Sequence, residues 1–351
     1  MAGPAGASPG RRLLRLARTG SPRTLVRAAR RQLVWRRSEA AFRRGARAGR
    51  QVLVGPFLGE VGFELLYWIP VVRRMLAEQG VERERVTVLT RGGAGSWYPD
   101  LAARTIDVLD LIEPDAFLDA LVERRRRAGE AKQFFADRLD EELTRLALAR
   151  TGDAVQLHPL LMYSRMRFVL EGLEPPERAT RIGDYRPLDR TERLPPPGCP
   201  ADYVAVKLYF TDPFPDEPAS RALAARVLDR LAAETDVVVL TSGVQLDEHR
   251  DWIPSGPRIH DSSAWVEPRD NLAVQTALVA GARAFVCPYG GFSYLGGLLG
   301  VPTLALQTRQ PYSPVHLAVF RAAFPDADYE VAGPESAEAV GRFAGAAVAR
   351  A

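Results

Sequence analysis

From Ala284 to Thr308 the chain runs for 25 residues without a charged side chain. That length is enough for a helix to cross a bilayer. Pro288, Gly290, Gly291, Gly296, Gly297, Gly300 and Pro302 interrupt it, however, at the intervals where strands and helices of a globular fold stop. The segment therefore predicts a strand over Ala284–Cys287, a loop, a helix over Ser293–Leu299 and a strand over Pro302–Leu306. A buried strand joined through a helix to a second buried strand is the repeating unit of a parallel sheet covered on both faces.

The same alternation extends upstream. Strands are expected at Tyr203–Phe210, Asp236–Leu240 and Arg258–His260, with helices at Pro218–Glu234 and Asn271–Ala280. Nearer the amino terminus, Gln51–Val54 reads as a buried strand entering a glycine-rich turn, followed by a helix over Glu64–Gln79 and a strand over Val86–Thr90. Charges at helical spacing from Leu121 to Arg150 predict one long exposed helix. Between the two alternating regions lies a proline-crowded stretch ending in Leu194-Pro-Pro-Pro-Gly-Cys-Pro200, which continues neither helix nor central strand. The expected class is thus α/β, with two Rossmann-type domains at 51–195 and 201–333, a closing helix at 334–351 and an extension at 1–50. At 351 residues, 46% of them hydrophobic, the chain suffices for two cores. In such sheets ligands bind beyond the carboxyl ends of the strands, so two of them facing each other would form a cleft.

The net charge of +4 conceals an asymmetry. The first fifty residues hold 14 arginines and one acid, Glu39, leaving 33 basic and 42 acidic residues beyond position 50. An acidic body without a basic, aromatic-interleaved stripe argues against nucleic acid as a partner. The arginines of the extension alternate with Leu13, Leu14, Leu16, Leu25, Val26, Leu33, Val34, Trp35 and Phe42, a pattern compatible with one or two short basic helices. These would be either solvated or laid on an anionic membrane surface. No uncharged run follows that would make it a secretory signal. Cys199 and Cys287 are far apart and lack ligand spacing, so neither a disulfide framework nor a zinc site is suggested; a reducing cytoplasm fits, with the membrane's inner face as a peripheral location.

In Cys287-Pro-Tyr-Gly-Gly-Phe-Ser-Tyr-Leu295 a strand ends, two glycines permit close backbone approach, and a helix can begin with unsatisfied amides, which suits phosphate. Ser293 either binds that phosphate or caps the helix. Asn271 through Leu295 resembles the donor-binding half of GT-B glycosyltransferases, in which a helix, the next strand and a small-residue loop surround the donor diphosphate. Gly55-Pro-Phe-Leu-Gly-Glu-Val-Gly-Phe-Glu-Leu-Leu-Tyr-Trp-Ile-Pro70 is similar to the opening of uncharacterised, glycosyltransferase-like proteins associated with bacterial surface polysaccharides. The resemblance implies a GT-B-like fold and a nucleotide-sugar donor bound by the second domain as co-substrate, with no other cofactor. It also implies a glycan or lipid-linked acceptor bound by the first domain. It transfers no catalytic residue.

Transfer of a sugar needs a base for the acceptor hydroxyl and cations or donors for the leaving diphosphate. Glu60, in the loop after the first strand, is the candidate base, with Glu64 in reserve and His158 as the alternate. For the donor, the candidates are Lys207 at the end of an apolar strand, Ser242 and Gly243 after the next, Asn271 and Gln275 one helical turn apart, and Tyr289, Gly290, Gly291 and Ser293. Asp326-Ala-Asp328 has the outline of a DxD metal motif but lies in a late polar loop and reads as a turn; no metal is expected. A nicotinamide enzyme is disfavoured because Gly55-x3-Gly59-x2-Gly62 departs from GxGxxG. A noncatalytic sugar- or nucleotide-binding protein on the same fold is the alternative.

Overall fold

A computed structural model describes residues 22–128, 133–190, 193–242, 251–309, 314–334, 342–343 and 345. It contains two parallel sheets. The first has four strands in the order β3-β2-β1-β4, where β1 is Gln51–Val54, β2 Val86–Thr90, β3 Arg104–Asp107 and β4 Ala154–Leu157. The second has six, in the order β10-β9-β8-β5-β6-β7, with β5 Tyr203–Val206, β6 Asp236–Val239, β7 Ile259–Asp261, β8 Ala284–Pro288, β9 Thr303–Leu306 and β10 Tyr329–Ala332. Every pairing within them is parallel. The apolar runs Val86–Thr90, Tyr203–Val206 and Ala284–Pro288 are buried along their whole length, as parallel strands covered on both faces must be.

The order of the second sheet places β5 between β8 and β6, so the chain reverses direction across the sheet there. Crevices at such reversals are where open parallel sheets take their ligands. The two sheets turn their carboxyl ends toward each other, and loops from both meet along a seam. Gly62 of the first half lies against Gly291 of the second so closely that a Cβ on Gly62 would stand 2.2 Å from the Gly291 Cα. Trp97 Nε1 donates to Thr276 Oγ1 at 2.9 Å, and the Leu272 amide donates to the Gly92 carbonyl at 2.6 Å. The expectation of a GT-B-like α/β fold built on two parallel sheets is met.

Several elements differ from the sequence reading. Residues 121–150 are not one exposed helix: helix α3, Pro114–Ala128, ends and helix α4, Arg138–Thr151, begins afresh. Asp137 forms a reciprocal capping box with Asp140, which starts the second helix, and Asp140, Leu143 and Ala147 are buried beneath it. The helix expected over Glu64–Gln79 opens as a π-helical turn at Glu64–Trp68 before the α-helix α2, Ile69–Glu78. Pro70 has no N–H to give the preceding turn, and the widened coil is its accommodation. The predicted strand through Phe210 stops at Val206, and β4 carries no continuous apolar run, since Gln156 interrupts it and its residues alternate between half-buried and buried.

The basic extension is, from residue 22, a single 26-residue helix, α1, Pro22–Arg47, rather than one or two short ones. Trp35, Phe42 and Ala46 are buried, Gly45 packs on Val155 of β4, and Trp35 Nε1 donates to the Phe134 carbonyl at 3.1 Å. Its aromatic face is thus occupied by the protein itself. No helix among the described residues is long and apolar enough to cross a membrane. The closing helix expected over 334–351 falls mostly outside the described residues; 342, 343 and 345 are helical.

Candidate functional site

The loop after β1 carries Glu60, which is exposed and precedes a short helical turn, Val61–Phe63, with extended backbone angles (φ −67°, ψ 140°). Its partner across the seam is the loop after β8. Because Gly62 and Gly291 touch backbone to backbone, the two glycine loops singled out separately in the sequence form one feature. A side chain at either position would drive the loops apart, which is a stronger reason for glycine than turn geometry alone.

Lys207 directly follows β5, the strand at the sheet's reversal. The residue is 6% exposed, and its ammonium lies 3.4 Å from Asp251 Oδ1. It stands 5.2 Å from the centre of the Phe292 ring and 5.9 Å from that of Tyr209. Asp251 Oδ2 accepts from the Ser242 amide at 2.7 Å and from its hydroxyl at 2.9 Å. One carboxylate thereby ties together two candidates taken from different strands. A contact at 3.4 Å is a weak counter-charge for a desolvated ammonium, and among the described residues the two aromatic faces add to its negative surroundings. Burial pushes the adjacent Cys287 thiol up, with Lys207 acting against it, so this cysteine is a neutral wall of the site.

Other candidates are engaged elsewhere. Ser293 is fully buried; its hydroxyl donates to the Gly290 carbonyl at 2.7 Å and lies 2.6 Å from the Tyr329 hydroxyl. Of its two readings, the capping one matches these contacts. The helix behind it, α9, spans only Tyr294–Leu298, after a 3₁₀ turn at Gly291–Ser293, too short to gather a substantial dipole. The Tyr289 hydroxyl meets that of Tyr294 at 3.1 Å inside the same half. Gly290 is extended, and a Cβ there would come within 3.3 Å of the Tyr209 hydroxyl. Asn271 and Gln275, on helix α8 (Asn271–Gly281), are both buried and hydrogen-bonded to each other at the seam with Gly92 and Gly93. Asp270 gives that helix no side-chain cap and instead accepts from the Glu267 amide. Gly243 lies outside the described residues.

The two alternate bases, His158 and Glu64, are both buried. His158 is 4% exposed; its Nδ1 accepts from the Leu160 amide at 3.1 Å and its Nε2 faces Asp140 Oδ2 at 3.7 Å, inside the first half. An imidazole so enclosed has no access to an acceptor hydroxyl. Glu64 is completely buried, 2.7 Å from Arg91 Nη1 and accepting from the Tyr98 hydroxyl at 2.7 Å. Burial raises its carboxyl, while Arg91 and Tyr98 act in the opposite sense. Reading from sequence gave no hint of Asp251, because the polar run before it has no periodicity, nor of Arg91 and Gln133, whose roles depend on backbone groups far along the chain.

No family model matches the chain, and no curated protein does. Among solved structures it is similar to Escherichia coli heptosyltransferase WaaC with ADP, at 15% identity, covering 85% of this chain and 99% of that one, with a TM-score of 0.45. It is similar also to the E. coli ADP-heptose lps heptosyltransferase II, at 12% identity, 86% and 99% coverage and a TM-score of 0.46. A glycosyl transferase family 9 structure from Veillonella parvula follows at 16% identity, 84% and 88% coverage and a TM-score of 0.44.

Proposed function

We propose that this chain is a glycosyltransferase that moves a sugar from a nucleotide-diphosphate donor to a hydroxyl of a glycan or lipid-linked acceptor. One observation carries the reading. The Gly62–Gly291 contact brings the exposed Glu60 loop of one parallel sheet against the Lys207–Phe292 corner of the other, at the carboxyl ends of both. An exposed carboxylate and a buried cation, carried by loops that meet at the carboxyl ends of two parallel sheets, match the two charges that develop in sugar transfer. The resemblance of residues 271–295 to the donor half of GT-B enzymes agrees with it.

In this reading the Glu60 carboxylate takes the proton of the acceptor hydroxyl as its oxygen bonds to the anomeric carbon. The bond from that carbon to the diphosphate breaks, and the electron pair leaves on the phosphate oxygen. Lys207, loosely held by Asp251, transfers its pairing to the diphosphate, and Ser242 is released from Asp251 to donate to the same group. No step calls for a metal.

The test is a thermal-shift screen of the full chain against UDP-, GDP-, ADP- and TDP-sugars, followed by transfer assays with the donor that binds. A ligand bound only by the folded state raises the melting temperature. Lys207→Met is expected to abolish the shift, and Glu60→Gln to keep it while lowering transfer by about 100- to 10,000-fold. Binding without transfer to any acceptor favours the noncatalytic alternative; absence of any shift removes the donor assignment.

A further inference from the structure

The loop that delivers Glu60 is held by two buried side chains that come from different parts of the chain. Gln133 Nε2 donates to the Pro56 carbonyl at 2.9 Å, and its Oε1 accepts from the Leu58 amide at 2.8 Å. Arg91, at the end of β2, donates through Nη1 to the Phe57 carbonyl and through Nη2 to the Gly59 carbonyl, each at 2.7 Å. Four consecutive residues, Pro56 to Gly59, are thus each fixed by a side chain, immediately before Glu60. Loops usually satisfy their backbone from water or from their own turns; this one is held from both sides.

Each clamp has its own buried carboxylate. Asp140 Oδ1 accepts from Gln133 Nε2 at 2.8 Å, and Glu64 Oε2 accepts from Arg91 Nη1 at 2.7 Å. Gln133 is 1% exposed, Arg91 6%, and Asp140 and Glu64 are fully buried. The Gln133 amide is orientated by this: its nitrogen faces the carboxylate and the Pro56 carbonyl, so its oxygen must face the Leu58 amide. The guanidinium plane of Arg91 is set in the same way by Glu64. Polar groups so fully paired in the interior specify one arrangement of the backbone they touch.

We infer that Gln133 and Arg91 are positioning residues that fix the Glu60 carboxylate in the cleft, through two separate backbone clamps on Pro56–Gly59. The inference rests on the proposed role of Glu60. A displaced reactive group is costly, since about 1 Å of misplacement can cost about 100-fold in rate.

The experiment compares the full-length wild type with Gln133→Met, Arg91→Lys and Glu60→Gln, alone and with each clamp variant combined with Glu60→Gln. The probe is the nucleotide sugar that shifts the melting temperature. Both clamp variants are expected to lower kcat by about 10- to 100-fold with donor KM changed less than about twofold. Placed on the Glu60→Gln background, they are expected to cost less than about twofold more, because a clamp has nothing left to aim. Equal losses on both backgrounds, or a rise in KM at unchanged kcat, overturn the inference.

Arg91→Lys keeps the charge beside Glu64, and Gln133→Met keeps the volume, so melting temperatures separate misfolding from misplacement. Hydrogen exchange supplies a reading independent of any transfer. The Leu58 amide is expected to exchange faster in Gln133→Met while the β1 amides keep their protection; unchanged exchange overturns the clamp even if Glu60 proves to have no chemical role. Should Glu60→Gln transfer normally, the base assignment fails, and with it the inference, whatever the exchange data read.

Discussion

Arg91 does two tasks with one guanidinium: it carries the loop carbonyls of Phe57 and Gly59, and it neutralises a carboxylate that pairs with no other cation among the described residues. Arg91→Met is therefore expected to destabilise the fold by about 3–5 kcal/mol, the usual cost of removing one partner from a buried ion pair. The loss should depend on pH. With the guanidinium gone, burial raises the Glu64 carboxyl further above its unfolded value. A carboxyl raised in the folded state binds more protons there than in the unfolded chain, so stability falls as pH climbs from the unfolded value toward the folded one. Urea unfolding of Arg91→Met should thus give a smaller deficit relative to wild type at pH 5 than at pH 8. A deficit independent of pH would mean that Glu64 is not the group left unpaired.

Where an element ends decided how much of it could be read from sequence. Lys207 and Ser242 were visible because each interrupts or closes an apolar strand, and a strand end in a parallel sheet is a ligand position whatever the rest of the fold does. Asp251, which links them, stands in no pattern. The glycine pairs were visible as breaks, but that Gly62 and Gly291 answer each other is a fact of packing that neither sequence window contains. His158 follows the end of β4 and faces Asp140 of α4, a placement that its own sequence window, with Gln156 interrupting the apolar run, does not contain. At this scale two substitutions discriminate. Trp35→Ala, in the helix first expected to be solvated or lipid-facing, should cost about 3–5 kcal/mol in chemical unfolding, as a buried aromatic does. A loss below about 1 kcal/mol would return α1 to the status of an appendage. Gly62→Ala should cost about 1–3 kcal/mol through overpacking against Gly291, whereas Gly333→Ala, whose added methyl would find nothing among the described residues nearer than 3.8 Å, should be close to neutral.

The two halves are joined through more than their connecting segment. One continuous apolar cluster contains Val52 and Val88 of the first sheet together with Phe285 and Ala305 of the second. Tyr67 meets His316 of helix α10 (Pro314–Ala323) at 2.7 Å, so the chain returns from the second half to touch the first. Calorimetry of the full chain should accordingly show a single cooperative transition, with calorimetric and van't Hoff enthalpies in agreement. Thr276→Val, which leaves the buried Trp97 indole N–H without its acceptor, should lower stability by about 1–3 kcal/mol without splitting the transition. Two resolved transitions in the wild type would mean that the shared cluster does not couple the halves.

At Gly62 and Gly291 the distance between the halves is the thickness of two peptide backbones and nothing more. Side chains of increasing size at position 291 then act as shims of graded height. Alanine, serine and valine would prop the halves apart by successive increments at a point beside the cleft, and the series becomes a gauge of how wide an opening the bound sugar tolerates.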